Sequence, residues 1–375
     1  MRHQLRFLHA RVKAVGTRGI RTSSLTQLAG GGRSRQRLNR YNPRMENAHS
    51  TEHLAAARFI KVIGRGKDGA RSLSRNDAHD MYAAMLDRRI SDLELGGILL
   101  AMRIKGESVD EIAGFLDAAE ASFEQLSVPG EPSEISAYAP IVIPSYNGSR
   151  KMANLTPLLA LLLARQGVPV LVHGVTQDPG RVTSAEIFAA LGLAHAHSVQ
   201  QAEACFARHE PAFMPIEVLA PAMARLLETR RILGVRNSTH TLVKIVQPFK
   251  APALRLVSYT HPEYLAMLSL YFSTAAPVAR GDVFLMRGTE GETVANARRA
   301  QRIDWYHAGA CTTLVQTQPS ADADIALPET SDAASTARWT EAVLRQEQPV
   351  PATIAEQVSH CLQVSRQLQA AQLDR

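Results

Sequence analysis

A chain of 375 residues, 45% hydrophobic and 21% charged, has the composition of an ordinary globular protein with room for one large or two medium domains. No uninterrupted apolar run approaches the roughly 20 residues that cross a bilayer; the longest, 155–164, is broken by Thr156 and Pro157, so no membrane partner is expected. The net charge of +7 is concentrated in residues 1–44, with 11 Arg and Lys and no acid; this leaves 31 basic against 35 acidic residues, or −4, for residues 45–375, and excludes a uniformly basic body.

The basic tail, 1–44, has three open readings. It lacks core-forming periodicity and reads as disordered. It is Arg-rich, contains Ser and lacks acid, as organellar transit peptides do. Or Met45 is the true start, the reading favoured here because helix patterning begins only after it. No apolar stretch follows the basic start, so secretion is not expected. Cys205, Cys311 and Cys361 match no metal or redox spacing and read as reduced thiols of a cytoplasmic protein.

Residues 45–126 read as a helical N-terminal domain with four helices in 51–126. Ser74 caps the second, Ser91-Asp92-Leu93-Glu94 is a capping box opening the third, and Ser108-Val109-Asp110-Glu111 opens the fourth. Residues 127–138, with Pro129, Gly130 and Pro132, read as a linker. Residues 139–375 change to an α/β pattern. The stretch 141–174 reads as strand, loop, helix from about Lys151, then strand, the unit of a parallel sheet. Ligands in such sheets sit beyond the carboxyl ends of the strands, which selects loops 144–150 and 173–181. Helices are expected at 184–191, 199–208, 221–233, 261–274, 336–344 and 353–373, and strands at 253–257, 282–286 and 312–316, with 319–335 as loop. The fold class is α/β: a small all-helical N-terminal domain plus a mostly parallel sheet covered by helices.

These features, over about residues 55–310, resemble the anthranilate phosphoribosyltransferase superfamily (glycosyl transferase family 3 type). The helical unit, the loop rich in Gly, Ser and Asn, Asn154-Leu155-Thr156 and His173-Gly174 carry the likeness. The details look more like its divergent YbiB-type nucleic-acid-binding paralogues. The resemblance implies a nucleoside phosphorylase/phosphoribosyltransferase-like fold and a homodimer joined through the helical domain. In the enzymes it implies transfer from phosphoribosyl pyrophosphate to anthranilate with Mg²⁺, a step of tryptophan biosynthesis. The enzymes' Gly-Thr-Gly-Gly-Asp diphosphate loop falls on Pro144-Ser145-Tyr146-Asn147-Gly148, where Pro144 has no N–H and Tyr146 is bulky. A residual phosphoribosyl-diphosphate cleft would comprise Ser145, Asn147, Gly148, Asn154, Thr156, His173 and Gly174. The lysine of the next loop matches Arg181, and the Ser-x-Asp that follows matches Ser184-Ala185-Glu186. The enzymes' substrate arginine matches Arg236, followed by Thr239-His240 and Val243-Lys244. Their metal-binding Asp-Glu pair falls on Gly291-Glu292, so Glu292 is a metal ligand only if the enzyme reading holds. Arg287, beside Glu290 and Glu292, is expected to form a salt bridge instead.

The favoured reading is a sequence-nonspecific nucleic-acid-binding protein, with DNA the expected polymer, no catalytic residue and no cofactor. Nucleic-acid binding needs Lys and Arg along a groove. The candidates are Arg150, Lys151, Arg181, Arg236, Lys244, Arg287, Arg298, Arg299 and Arg302, all in connecting stretches or after strand ends, with Trp305 and Tyr306 as stacking platforms. Alternatives are a phosphoribosyl or other glycosyl transferase using Mg²⁺, or a structural or metabolite-binding protein with neither activity.

Overall fold

The computed structural model describes residues 52–128, 136–320 and 325–373. The basic tail, and with it the question of Met45, lies outside the described residues. The first helices follow the capping signals. They are α1 (Ala57–Ile63), a single turn α2 (Gly66–Gly69), α3 (Arg75–Leu86), α4 (Asp92–Lys105) and α5 (Val109–Ala121). Both expected capping boxes form, Ser91 with Glu94 and Ser108 with Glu111, each satisfying two N–H groups that a helix start leaves open. The segment expected to link the two regions is anchored at its start: Leu126 N–H donates to Pro248 O at 2.8 Å, and Ser127 N–H to Glu203 Oε1 at 2.8 Å.

The α/β region runs β1 (Ile141–Ser145), α6 (Thr156–Ala164), β2 (Val170–Gly174), α7 (Ser184–Ala190), α8 (Val199–Ala207), β3 (Ala212–Pro215) and α9 (Ile216–Leu219). Then come α10 (Pro221–Leu233), α11 (Thr239–Leu242), β4 (Leu254–Tyr259), α12 (Pro262–Thr274), β5 (Val283–Arg287), β6 (Arg299–Ala300) and β7 (Ile303–His307). The chain closes with β8 (Ala310–Val315), β9 (Gln318–Pro319), α13 (Ala333–Leu344) and α14 (Ala352–Leu373). The main sheet has the order β3-β2-β1-β4-β5-β7-β8, the first five strands parallel and β7 and β8 antiparallel; β6 and β9 form a separate pair.

Alternation along the strands divides the core in two. Ile141, Ile143, Leu254 and Leu256 join a cluster with Leu158, Leu163, Ile354 and Val364 on one side. Val142, Leu171, Val257 and Leu285 face the other way, into a cluster shared with Phe59, Tyr82, Phe115 and Leu242 of the helical layer. The helical layer is therefore built on to the sheet. Tyr82 meets Thr239 across it at 3.0 Å, and Arg280 reaches Asp117 and Glu120 of α5 at 3.0 and 2.6 Å.

Four expectations change. The helix after the first loop begins at Thr156, so Arg150 and Lys151 belong to the loop. β2 carries His173 and Gly174 within it. Two strands of the main sheet are additional: β3, four buried residues after Pro211 at the edge of the sheet, and β7, which forms a hairpin with β8 through Ala308 and Gly309 at φ 46° and 83°. Finally, Tyr306 is buried in β7 and Trp305 is half-buried with its Nε1 donating to Asp282 Oδ2 at 2.8 Å, so neither stands open as a stacking platform.

Candidate basic cleft and loop-plugged anion cradle

The carboxyl ends of β1 and β2 touch. A Cβ on Gly174 would stand 1.7 Å from Ser145 O, so only glycine lets the two strands run together here. Behind them Ser145 donates to Ser184 Oγ at 2.8 Å, and Asn154 Nδ2 donates to the same oxygen at 3.1 Å. His173 is fully buried, its Nδ1 2.7 Å from the Tyr146 hydroxyl and its Nε2 without a partner. Burial pushes this imidazole down to about 3, so it is neutral at pH 7. Glu186, the counterpart of the enzymes' acid, closes a capping box on Thr183. Asn154 Oδ1 accepts the Thr156 N–H at 3.1 Å.

In the loop between β1 and α6 the N–H groups from Asn147 to Met152 are engaged. Glu292 Oε1 accepts those of Asn147 and Gly148 at 2.9 and 2.7 Å. Ser149 N–H goes to Val182 O at 2.9 Å. Glu290 accepts those of Arg150 at 2.7 Å, Lys151 at 3.1 Å and Met152 at 3.4 Å. A run of N–H groups after a strand is where a phosphate would sit; here two carboxylates of the loop after β5 occupy it. Glu290 does so from a left-handed backbone, φ 52°, a conformation disfavoured for a residue with a Cβ. Gly291 follows at φ 100°, where a Cβ would meet Asn147 Nδ2 at 2.2 Å. Partial burial pulls the Glu290 carboxyl up, but these N–H bonds, with Arg181 nearby, together hold it below its usual range.

The expected Arg287 salt bridge is replaced by these backbone bonds. The residues do not fit Mg²⁺ either. The fully buried Glu292 spends one oxygen on two N–H groups, its other lies 3.5 Å from Thr156 Oγ1, and no group of three or more His, Cys, Asp or Glu among the described residues is arranged to hold a metal.

In front of this plugged loop lies a cleft of about 490 Å³. Among the described residues its wall carries Arg150, Arg181, Arg230, Arg231, Arg236 and Lys244 against two acids, Asp178 and Glu228. Glu228 pairs with Arg231 at 3.1 Å. Arg236 reaches Asn147 Oδ1 at 3.3 Å, and Arg181 reaches Gly148 O at 3.2 Å, so both are aimed by the loop. Desolvation, with Arg230 and Arg181 close by, lowers Arg236 from its ordinary value. Desolvation first, then Arg236 and Arg181, push Lys244 down to about 8, although Glu292 opposes the shift. Cations that crowd each other in this way are stabilised by an incoming anion.

The structure thus brings Arg150, Arg181, Arg236 and Lys244 to one wall. Lys151 is exposed on the same loop. Arg287, Arg298, Arg299 and Arg302 do not line this cleft. Arg287 lies beside Tyr259 in the sheet register, Arg299 is exposed on β6, Arg298 is exposed just before it, and Arg302 is tied to Asp304 at 2.8 Å. Nothing in the sequence distinguishes Arg230 and Arg231. They occupy the last turn of α10 before Gly234, where basic residues already suit the helix dipole and so carry no separate signal.

Residues 58–122 match the family model for the helical bundle domain of the glycosyl transferase family. The chain is 43% identical over 307 residues to the uncharacterized protein YbiB of Escherichia coli, covering 81% of this chain and 92% of that protein. It is 30% identical over 195 residues to the anthranilate phosphoribosyltransferase of Rhodopseudomonas palustris, covering 52% of this chain and 54% of that enzyme. Among solved structures, the anthranilate phosphoribosyltransferase of Thermus thermophilus superposes with a TM-score of 0.60 at 20% identity, over 83% of this chain and 88% of that one. The Saccharomyces cerevisiae enzyme in complex with PRPP and Mg superposes at 0.56 and 13% identity, over 86% and 97%. The structural likeness shows the same fold, a helical bundle followed by a mostly parallel mixed sheet, and the sequence likeness extends over most of the chain: it belongs to the anthranilate phosphoribosyltransferase superfamily of glycosyl transferase family 3, as a YbiB-like member.

Proposed function

We propose that this protein binds nucleic acid, DNA in the first instance, without sequence preference, through the cleft walled by Arg150, Arg181, Arg230, Arg236 and Lys244. The observation that carries this reading is the crowding of six cations against two acids in one cleft of a body whose net charge is −4. Phosphates along a strand neutralise such a wall, and counterion release drives the association. No recognition helix or zinc site is needed for backbone contacts of this kind.

The same scaffold argues against phosphoribosyl transfer. Holding a departing diphosphate needs preorganised, unspent donors. The loop N–H groups from Asn147 to Met152 are spent on Glu292, Val182 and Glu290. Asn154, Thr156 and His173 act as internal supports of the loop and strand ends.

A homodimer completes the proposal. On α4, Leu93, Leu100 and Ile104 are 87%, 41% and 77% exposed, at a spacing that puts them on one face with Gly97 between. The occupant of this face is a second copy of the chain, which would place two clefts on one particle and raise affinity for a long strand.

The test is a fluorescence anisotropy titration of a chain starting at Met45 with a short oligonucleotide at several salt concentrations. Binding that falls linearly in log–log form as salt rises supports phosphate contacts in the folded body. No binding by this shortened chain, with binding by the full one, would assign the affinity to the basic tail and overturn the proposal.

A further inference from the structure

Beside the basic cleft lies a second chamber of about 250 Å³, and the two share Arg236, His240 and Lys244. Its other wall is different in kind. Tyr259 and Tyr264 line it, and the Tyr264 hydroxyl accepts from Arg103 Nη1 at 3.1 Å, which ties the ring to α4. His240 stands between the two spaces. Its Nδ1 is held by Asn237, 3.2 Å from both the backbone N–H and the side-chain Oδ1 of that residue, which fixes the ring between them. Burial, together with Arg236 and Arg230, pushes this imidazole down to about 4, so it remains an uncharged ring at pH 7. Thr241 adds a hydroxyl.

One space therefore suits a chain of charges, and the other a flat group with aromatic faces and hydrogen-bonding edges. The chamber is smaller than the roughly 300–1,000 Å³ of pockets that take drug-sized ligands, and it opens on to the phosphate-binding wall. We propose that it receives one unpaired nucleobase of a strand whose phosphates lie along the cleft, the base resting against Tyr259 and Tyr264. This rests on the nucleic-acid reading and deepens it. A base held in a duplex is stacked and cannot enter without being flipped out, so the proposal makes the protein a single-strand binder.

The experiment compares the full chain's affinity for a 12-nucleotide thymine strand, an all-abasic strand of the same length and charge, and the corresponding duplex. Base–aromatic stacking predicts that the abasic strand binds about tenfold or more weakly than the thymine strand, and the duplex likewise. With Tyr264→Ala, the thymine and abasic strands should bind nearly alike. Should that variant misfold, a strand with a single 2-aminopurine gives an independent reading on the unaltered protein: its emission should change on binding as the base leaves its neighbours for the chamber. Equal binding of thymine and abasic strands by the unaltered protein, both with linear salt dependence, would overturn the base chamber while the cleft reading stands. Tighter binding of duplex than of single strand would do the same. Binding of none of the three would overturn the nucleic-acid reading itself.

Discussion

The loop from Asn147 to Met152 and the cleft wall in front of it both attract negative charge, but they stand in opposite states. The loop works with backbone N–H groups, and its carboxylate partners come from the same chain. The wall works with side-chain cations, and within the cleft it has two acids for six of them. Backbone N–H groups in a tight loop fit a compact anion of fixed shape. Arginines and a lysine spread over α10, the two segments flanking α11 and two loops fit a row of anions whose spacing flexes. The difference shows that separate residues govern the two features: the carboxylates of Glu290 and Glu292 close the loop, and side-chain cations make the wall.

The most severe way to break the contrast is to empty the loop's plug. Glu292→Ala leaves the buried N–H groups of Asn147 and Gly148 without an acceptor, a loss of about 3–5 kcal/mol at the usual cost of unmade buried hydrogen bonds. A denaturant titration reads it, and a loss under about 1 kcal/mol would mean that the loop holds its shape without the carboxylate.

Next in size is the response to acid beneath the loop. His173 takes up its proton near pH 6.5 when unfolded but only at about 3 when folded. Stability should therefore be complete above pH 6.5 and decline as the pH falls from there toward 3, by up to about 1.4 kcal/mol per pH unit from this group. His173→Gln should flatten that part of the profile; an unaltered slope would assign it to other groups.

On the cleft side, Lys244 loses its charge near pH 8. Oligonucleotide affinity should fall roughly threefold to tenfold between pH 7 and 9, as expected for one lost phosphate contact. Lys244→Arg should remove the fall, because an arginine stays charged. A pH-independent affinity in the unaltered protein would take Lys244 out of the contact set.

The smallest effect belongs to the remote arginines. Arg298→Ala, Arg299→Ala and Arg302→Ala together should change affinity by less than about twofold and leave the salt slope within about 0.5 of its original value, since they do not line the cleft and Arg302 is paired. A slope lowered by about 3 would move the binding surface to that edge and away from the cleft wall.

Much of this architecture is legible in the chain. Ser91 with Glu94 and Ser108 with Glu111 mark helix starts because their side chains satisfy local N–H groups, a signal contained in four residues. The apolar run at 141–144 marks its strand because it is buried on both faces, and the strand extends one residue further, to Ser145. Signals that depend on distant partners are lost. β7 reads poorly because its polar members, Asp304 and Trp305, are satisfied by Arg302 and Asp282. β3 is four residues next to a proline. The roles of Glu290 and Glu292 were invisible for the same reason: in sequence they stand beside Arg287, while their hydrogen-bond partners lie about 140 residues away. In the sequence Arg181 stands out by its loop, and Arg236 and Lys244 by the stretch that resembles the enzymes' substrate-binding segment, but that they share a wall with Arg230 and Arg231 follows only from how α10 ends.

The most direct test of the central claim is the salt dependence of oligonucleotide binding by the full chain and by its Arg181→Ala, Arg236→Ala, Lys244→Ala triple variant. The variant should bind about 100-fold more weakly at low salt, with a log–log slope smaller by about 2–3. An affinity and slope matching those of the unaltered chain would contradict the claim, because the phosphates would then be held outside the cleft.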